Sequence, residues 1–289
     1  MRYRGTVIRP PSEAGSLILQ AAYGCSHNAC TFCPTYTGTR FEPRDVDEVL
    51  ADIAEAAEIV PDTHRVFLAD GNALCLPFAD LVKILQGLNR AFPRLQRVGI
   101  YGNGRDINDK TEEELRELVA LGLGIVYVGL ESGDDRVLER VRKRDRSEDM
   151  IRAVVKARAC GLQASVIVLL GLGGEEGSRD HALRSAQAVS AMDPDYLSAL
   201  TLMVVPGTPL HREQEAGKFI LPGQADLLRE LRLFLEASEL SECVFRTNHA
   251  SNYLPLKGVL SRDKNALIQM IDSAIERPEL LRPEYMRGL

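Results

Sequence analysis

Apolar runs rich in β-branched residues recur along the chain at Ser16–Ala22, Arg65–Ala69, Arg97–Tyr101, Gly124–Leu130, Ala164–Leu170 and Tyr196–Val205. They are nearly continuous rather than alternating, as expected of strands buried on both faces. Between them, Asp45–Ile59, Phe78–Ala91, Thr111–Leu121, Asp149–Ala159 and Ser178–Met192 carry apolar residues at helical spacing. Strand and helix alternating about every 30–40 residues is the pattern of βα units on a parallel sheet. Helix boundaries agree. Asp45 precedes the first helix, and Thr111 stands three residues before Glu114 in a capping-box pattern. Gly122 and Gly161 follow helical runs, where a left-handed stop is easily made. The prediction is an α/β fold: a partial (β/α)6 barrel of TIM type, with six units before residue 206.

After Val205 the pattern changes. A Pro- and Gly-containing loop leads to a Leu-rich helix over Gln224–Glu239, a polar stretch, a last helix over Arg262–Ile275 and a Pro-punctuated tail. No low-complexity segment or long linker divides the chain. Residues 1–212 are therefore expected to form the barrel core. Residues 213–289 are expected to complete the same domain, as an extension closing the barrel's open side.

Composition narrows the function. Of 289 residues, 45% are hydrophobic and 26% charged, enough apolar content for a packed core. The net charge of −6 argues against a broad nucleic-acid surface, because binding there relies on phosphate neutralisation. No apolar run reaches the roughly 18 residues a membrane helix needs. The first residues hold no apolar signal-peptide core, so a cytoplasmic protein is expected. Of six cysteines, Cys25, Cys30 and Cys33 are clustered, while Cys75, Cys160 and Cys243 are scattered. In such a chain a tight cluster reads as a metal site rather than a disulfide framework.

Sites in parallel α/β folds form at the C-terminal ends of strands. The segments there are Tyr23–Cys33, Asp70–Asn72, Gly102–Arg105, Glu131–Gly133, Gly171–Glu175 and Pro206–His211, and each contains glycine. The first places three thiols in one loop with no fourth cysteine nearby. That donor set suits a [4Fe–4S] cluster with one iron left open. Zinc, with His27 as fourth ligand, is the alternative. Ser26, His27, Asn28 and Thr31 make the loop a poor buried core, which argues against unligated core thiols.

These motifs resemble those of the radical S-adenosylmethionine (SAM) superfamily, in its Elongator-like, coproporphyrinogen-oxidase-like and methylthiotransferase branch. The usual cysteine spacing there is three residues, then two; here it is four, then two. The resemblance implies that Cys25, Cys30 and Cys33 hold the cluster. It implies SAM contacts from Phe32, from the turn Asp70-Gly71-Asn72, and from Glu131 within Gly129–Gly133; Asn103, which ends the third strand, is a further candidate contact to SAM or substrate. The resemblance extends these to Arg142 or its neighbour Lys143, to Gly171 after the fifth strand, and to Val205 in the loop after the sixth. Plainer roles for some of these are a strand-end salt bridge for Glu131, a loop cap for Asn103 and a solvated helix face for Arg142. The implied chemistry is reductive cleavage of SAM to methionine and a 5′-deoxyadenosyl radical, which abstracts hydrogen from an organic substrate. It further implies an external one-electron donor of flavodoxin or ferredoxin type.

The polar stretch Arg246–Tyr253 is expected to lie across the barrel opening, with Arg246, His249 and Asn252 contacting substrate; a hydrogen-bonded plug is the competing expectation. Cys243, just before it, is a candidate hydrogen-atom donor, and Cys75 and Cys160 read as ordinary semi-buried thiols. Three other functional classes compete with the enzyme acting on a small organic molecule. An RNA-modifying radical SAM enzyme is disfavoured by the negative charge. A non-enzymatic iron–sulfur protein would not need glycine motifs on five further strand ends. A zinc hydrolase would find only Glu131 and Asp70 as added ligands.

Overall fold

The structure, a computed structural model, describes residues 1–288. In chain order the elements begin with β1 (Leu17–Gln20), β2 (Ala22–Tyr23), β3 (Glu42–Pro43), α1 (Val46–Ile59), β4 (Arg65–Ala69) and α2 (Phe78–Ala91). They continue with β5 (Arg97–Gly102), α3 (Gly104–Asn108), α4 (Glu112–Ala120), β6 (Leu123–Glu131), α5 (Asp135–Arg140), α6 (Ser147–Ala159) and β7 (Gln163–Leu170). The last are α7 (Gly174–Met192), β8 (Tyr196–Thr201), α8 (Pro209–Glu215), α9 (Gln224–Ala237), β9 (Val244–Arg246), β10 (Lys257–Val259) and α10 (Leu260–Glu276).

Two compact units emerge. The first comprises Met1–Asn28, Thr35–Val128 and Arg152–Ala164; the second comprises Ala29–Pro34, Gly129–Ile151 and the described residues from Ser165 onward. None of the boundaries between them falls at residue 212.

In the first unit β1, β4, β5 and β6 pair in that order, all parallel, with Leu17 opposite Val66 and Arg65 opposite Arg97. The register shifts between Val98 and Gly99. Val66, Phe67, Leu68, Val98, Ile100, Val126 and Val128 are fully buried, which is why these strands read as continuous apolar runs. Phe67 meets the edges of Tyr101 and Tyr127 at centroid distances of 4.9 and 5.7 Å. The capping signals are realised. The Asp45 carboxylate accepts the Asp47 and Glu48 N–H groups, and Thr111 and Glu114 cap reciprocally. Gly122 and Gly161 take φ of +97° and +87°. Antiparallel β2 and β3 form a separate two-stranded ribbon whose connection carries the cysteine loop.

In the second unit β7, β8 and β9 run parallel, with Tyr196 opposite Val244, and β10 pairs antiparallel to β9. Helix α9 packs on α7 and α10. β1 and β10 each have a strand neighbour on one side, so neither run closes on itself. The α/β, mostly parallel arrangement is the predicted one, and an open sheet is what a partial TIM-type barrel requires. One expectation changes. The parallel run does not stop at β8: β9 extends it, and Arg246 is its last residue.

Candidate functional site

The cysteine loop leaves β2 through Gly24, whose φ is +78°. A Cβ there would lie 3.3 Å from the Arg40 carbonyl oxygen, so the loop closes tightly on itself. Asn28 holds the far side: its Nδ2 donates to the Tyr36 and Thr39 carbonyls at 2.9 and 3.0 Å.

Cys25 lies in the first unit with the turn after β4. Gly71 is packed against it. A Cβ on Gly71 would fall 2.5 Å from Cys25 Cα and 2.6 Å from the Gly24 carbonyl oxygen. Asn72 is 1% exposed and grips the next residue twice. Its Oδ1 accepts the Ser26 N–H at 2.9 Å, and its Nδ2 donates to Ser26 Oγ at 2.7 Å. The same Nδ2 donates to Asp106 at 2.8 Å, and Asp106 accepts the Asn103 N–H at 2.8 Å. Both Asn72 donors are thus committed to the protein, and Asn72 acts as a brace for the cysteine loop.

Asp70 takes φ of +75° and is buried. Its carboxylate accepts Gln20 Nε2 at 2.7 Å and the Tyr36 hydroxyl at 3.3 Å. Burial pushes its pKa up to about 6, against the two hydrogen bonds that favour the charged form. Burial first, then Asp106, pushes the Cys75 thiol up to about 11, so it stays protonated at neutral pH.

Cys30 and Cys33 lie in the second unit, where the Cys33 N–H donates to the Cys30 carbonyl in a tight turn at 3.2 Å. Thr31 anchors the turn: its N–H donates to the Val141 carbonyl, and its carbonyl accepts the Leu210 N–H, each at 3.0 Å. Phe32 packs on the cluster of Val137, Val141, Leu169, Leu172, Leu202, Leu210 and Phe219. None of the six cysteines is in a disulfide; Cys25, Cys30, Cys33 and Cys75 are partly exposed. Three partly exposed thiols on one loop form a donor set that fits an iron–sulfur cluster. Among the described residues, no three His, Cys, Asp or Glu side chains are gathered as a ready-made ligand sphere.

At the end of β6, Glu131 takes φ of +63°, and Gly129 leaves the space its carboxylate occupies. Lys143 donates to Glu131 Oε1 at 3.3 Å. Burial opposes the Lys143 charge, but Glu131 and then Cys30 more than offset it and raise its pKa. Arg142, with φ of +56°, is exposed. The buried cation beside Glu131 is therefore Lys143, the neighbour of the residue singled out from sequence. Gly171 follows β7 with φ of +84°. The Val205 carbonyl accepts the Thr208 hydroxyl at 2.7 Å, and Thr208 in turn caps α8.

The three residues expected to meet substrate do not share one environment. Asn252 is 3% exposed; its Nδ2 donates to the Ala199 and Thr247 carbonyls at 2.9 and 3.1 Å, and its Oδ1 accepts the Thr201 hydroxyl at 2.9 Å. Both of its donors are committed internally. His249 Nδ1 accepts the Ser251 N–H at 3.1 Å and lies 2.9 Å from Ser251 Oγ. Arg246 pairs with Lys257 across the β9–β10 ladder. The candidate hydrogen-atom donor Cys243 is 1% exposed, and Cys160 is also buried.

Comparison with known proteins settles the family. The chain matches the Radical SAM superfamily over residues 19–186, more than half its length. It belongs to that superfamily. It is 23% identical to the heme chaperone HemW of Bacillus subtilis over 178 residues, which is 61% of this chain and 46% of HemW. Coproporphyrinogen III oxidase (HemN) from Escherichia coli superposes with a TM-score of 0.58 at 18% identity, over 76% of this chain and 52% of that one. The radical SAM methyltransferase TsrM from Kitasatospora setae, solved with cobalamin and a [4Fe–4S] cluster, gives 0.57 at 23% identity, over 72% and 41%. The chain thus spans about half the length of these relatives, or less.

The sequence reading missed Ser132, His181 and Glu230, which meet in the core of the second unit. One signal for Glu230 was available: in Gln224–Ala237 it falls on the apolar stripe of Leu227, Leu231 and Phe234.

Proposed function

We propose that the protein is a radical SAM enzyme whose Cys25, Cys30 and Cys33 hold a [4Fe–4S] cluster and whose strand ends bind SAM. The observation that carries this reading is the loop of three partly exposed thiols at the end of the first strand, inside the matched family region. A cluster held there would, with SAM bound and one electron from a flavodoxin- or ferredoxin-type donor, supply reductive cleavage of the SAM C–S bond to methionine and a 5′-deoxyadenosyl group. The chain's own residues do the positioning. Asn72 fixes Ser26 beside the first thiol, Thr31 fixes the turn carrying the other two, and Lys143 presents a buried cation suited to the SAM carboxylate. Glu131, held by Lys143, is suited to the polar half of the same ligand. The substrate is an organic molecule of small to medium size. No helix among the described residues is long and apolar enough to cross a membrane.

The test is anaerobic reconstitution with iron and sulfide, followed by reduction with dithionite and SAM. About four irons per chain and release of 5′-deoxyadenosine are expected, both lost in the triple alanine variant of the three cysteines. Retention of four irons by that variant would refute the ligand assignment.

The similarity to HemW, which is named a heme chaperone, favours a second reading, in which this chain binds heme. Stoichiometric heme binding without 5′-deoxyadenosine release distinguishes it.

A further inference from the structure

Glu230 on α9 is 2% exposed, and its carboxylate is approached from three directions. The Gly171 N–H donates to Oε1 at 2.6 Å, the Ser178 hydroxyl donates to Oε2, and His181 Nε2 lies 3.5 Å from Oε1. His181 is fully buried, and its Nδ1 is 2.8 Å from Ser132 Oγ. Ser132 Oγ in turn accepts the Asp134 N–H at 3.0 Å. His181 Nε2 itself makes no hydrogen bond among the described residues, so Glu230 is bonded to the residue after β7 and only packs against the imidazole whose other nitrogen meets Ser132, the residue after Glu131, all within the second unit.

Packing alone does not call for a carboxyl at this place. Leu227, Leu228, Leu231, Phe234 and Leu235 supply the buried face of α9, and a carboxyl among them carries a desolvation cost. What it adds is a strong acceptor for an N–H that the Gly171 turn exposes. The helix also walls that turn: a Cβ on Gly171 would lie 2.8 Å from Leu227 Cδ2. Glycine adopts φ of +84° without strain, and the Glu230 acceptor selects this conformation from the several open to Gly171.

We propose that Glu230, bonded to the Gly171 N–H and packed against the His181 ring that meets Ser132, is a positioning residue that fixes the two strand ends facing SAM. The inference rests on the reading that these strand ends bind SAM. Burial of the two groups agrees with it. Burial pushes the Glu230 carboxyl up to about 7, against its bonds from Ser178 and Gly171, and pushes His181 down to about 4. Other charges face the pair. Glu175 and Arg179 of α7 and Asp226 and Arg229 of α9 line the cleft that reaches Glu230. Asp134 favours the charged form of His181. Asp272 of α10 is taken up by Arg232. An ionised carboxylate holds an N–H more tightly than the neutral acid does. SAM affinity should therefore rise as pH passes through about 7.

The test is calorimetric titration of SAM into the reconstituted full-length protein at pH 6 and pH 8.5, for wild type, Glu230→Gln and Ser132→Ala. Ionisation of SAM itself is common to all three, so the readout is the difference between profiles. Wild type should bind about fivefold more tightly at the higher pH, relative to Glu230→Gln, which mimics the protonated acid at both. Ser132→Ala should weaken SAM about threefold while keeping the wild-type pH response. If Glu230→Gln does not fold, Ser132→Ala decides, and unchanged affinity there overturns the proposal. A Glu230→Gln profile identical to wild type also overturns it, while the SAM-binding reading stands. Absence of SAM binding by the wild type removes that reading and this inference together.

Discussion

Gly71 is packed against Cys25, so closely that any side chain on the glycine would occupy the space of the cysteine's own backbone. The turn after β4 is therefore shaped first by the cysteine loop. Its φ is not in the left-handed region, so the demand for glycine here is steric. Gly71→Ala should displace Cys25 at a cost of about 1–3 kcal/mol, the usual range for overpacking. Iron retained after reconstitution should drop to about half or less. Gly177→Ala, where nothing lies within 4 Å, is the matched control and should keep full iron. Equal iron content in the two variants would show that the loop adapts freely.

Lys143 and Glu131 form a pair whose side chains are 9% and 15% exposed. Removing one partner leaves a largely buried charge uncompensated. Lys143→Met should lower unfolding stability by about 2–4 kcal/mol in denaturant titrations. Lys143→Met combined with Glu131→Gln should recover most of that loss. Arg142→Ala, at an exposed position, should change stability by about 0.5 kcal/mol or less. A larger effect at Arg142 than at Lys143 would reverse the assignment of the buried cation.

The pattern of successes and misses in the sequence reading has a physical basis. β4 to β7 were legible because largely buried strands need apolar residues almost throughout; β8, whose burial alternates, still offered Leu197, Ala199 and Leu200 in a short run. β9 and β10 were not: each has three residues, and the chain around them carries Glu242, Arg246, Thr247 and Lys257, with no repeat to detect. The cysteine loop was legible because thiol clustering is rare without a metal. Choosing between Arg142 and Lys143 was not possible from adjacent basic residues. The backbone decides it, through φ of +56° at Arg142, and sequence spacing does not encode that choice. Ser132, His181 and Glu230 are brought together by the β6 end meeting α7 and by α9 packing on α7, which no local pattern announces.

Asn252 and His249 separate two views of the polar stretch after β9. Asn252 supports three partners on β8 and its own loop. Asn252→Ala orphans these buried groups and should cost about 1–3 kcal/mol in thermal or denaturant unfolding. Coupling between SAM cleavage and substrate turnover should be unchanged in the protein that remains folded. His249 makes local contacts with Ser251, so His249→Ala should cost about 1 kcal/mol or less. If Asn252→Ala keeps wild-type stability but uncouples cleavage from turnover, the residue contacts substrate after all.

The Glu230–His181 pair makes a prediction about stability that is independent of any ligand. In the unfolded chain between about pH 4.5 and 6.5 the histidine holds a proton and the glutamate does not. In the folded protein burial reverses this, with Glu230 pushed up to about 7 and His181 down to about 4. Folding thus moves one proton from the imidazole to the carboxyl without changing the number bound, and the pair's net contribution to pH dependence over this window is near zero. Single variants should expose the two halves. Glu230→Gln leaves only the depressed histidine. The unfolded state then binds more protons than the folded one, and stability relative to wild type should rise with pH across the window. His181→Asn leaves only the raised carboxyl. Now the folded state binds more protons, so stability relative to wild type should fall with rising pH until about 7. Each slope should amount to about 2 kcal/mol over the two pH units, from about 1.4 kcal/mol per pKa unit. Urea unfolding of the three proteins at pH 4.5, 5.5 and 6.5 reads both slopes, and parallel curves for all three would mean that the buried pair does not exchange a proton on folding.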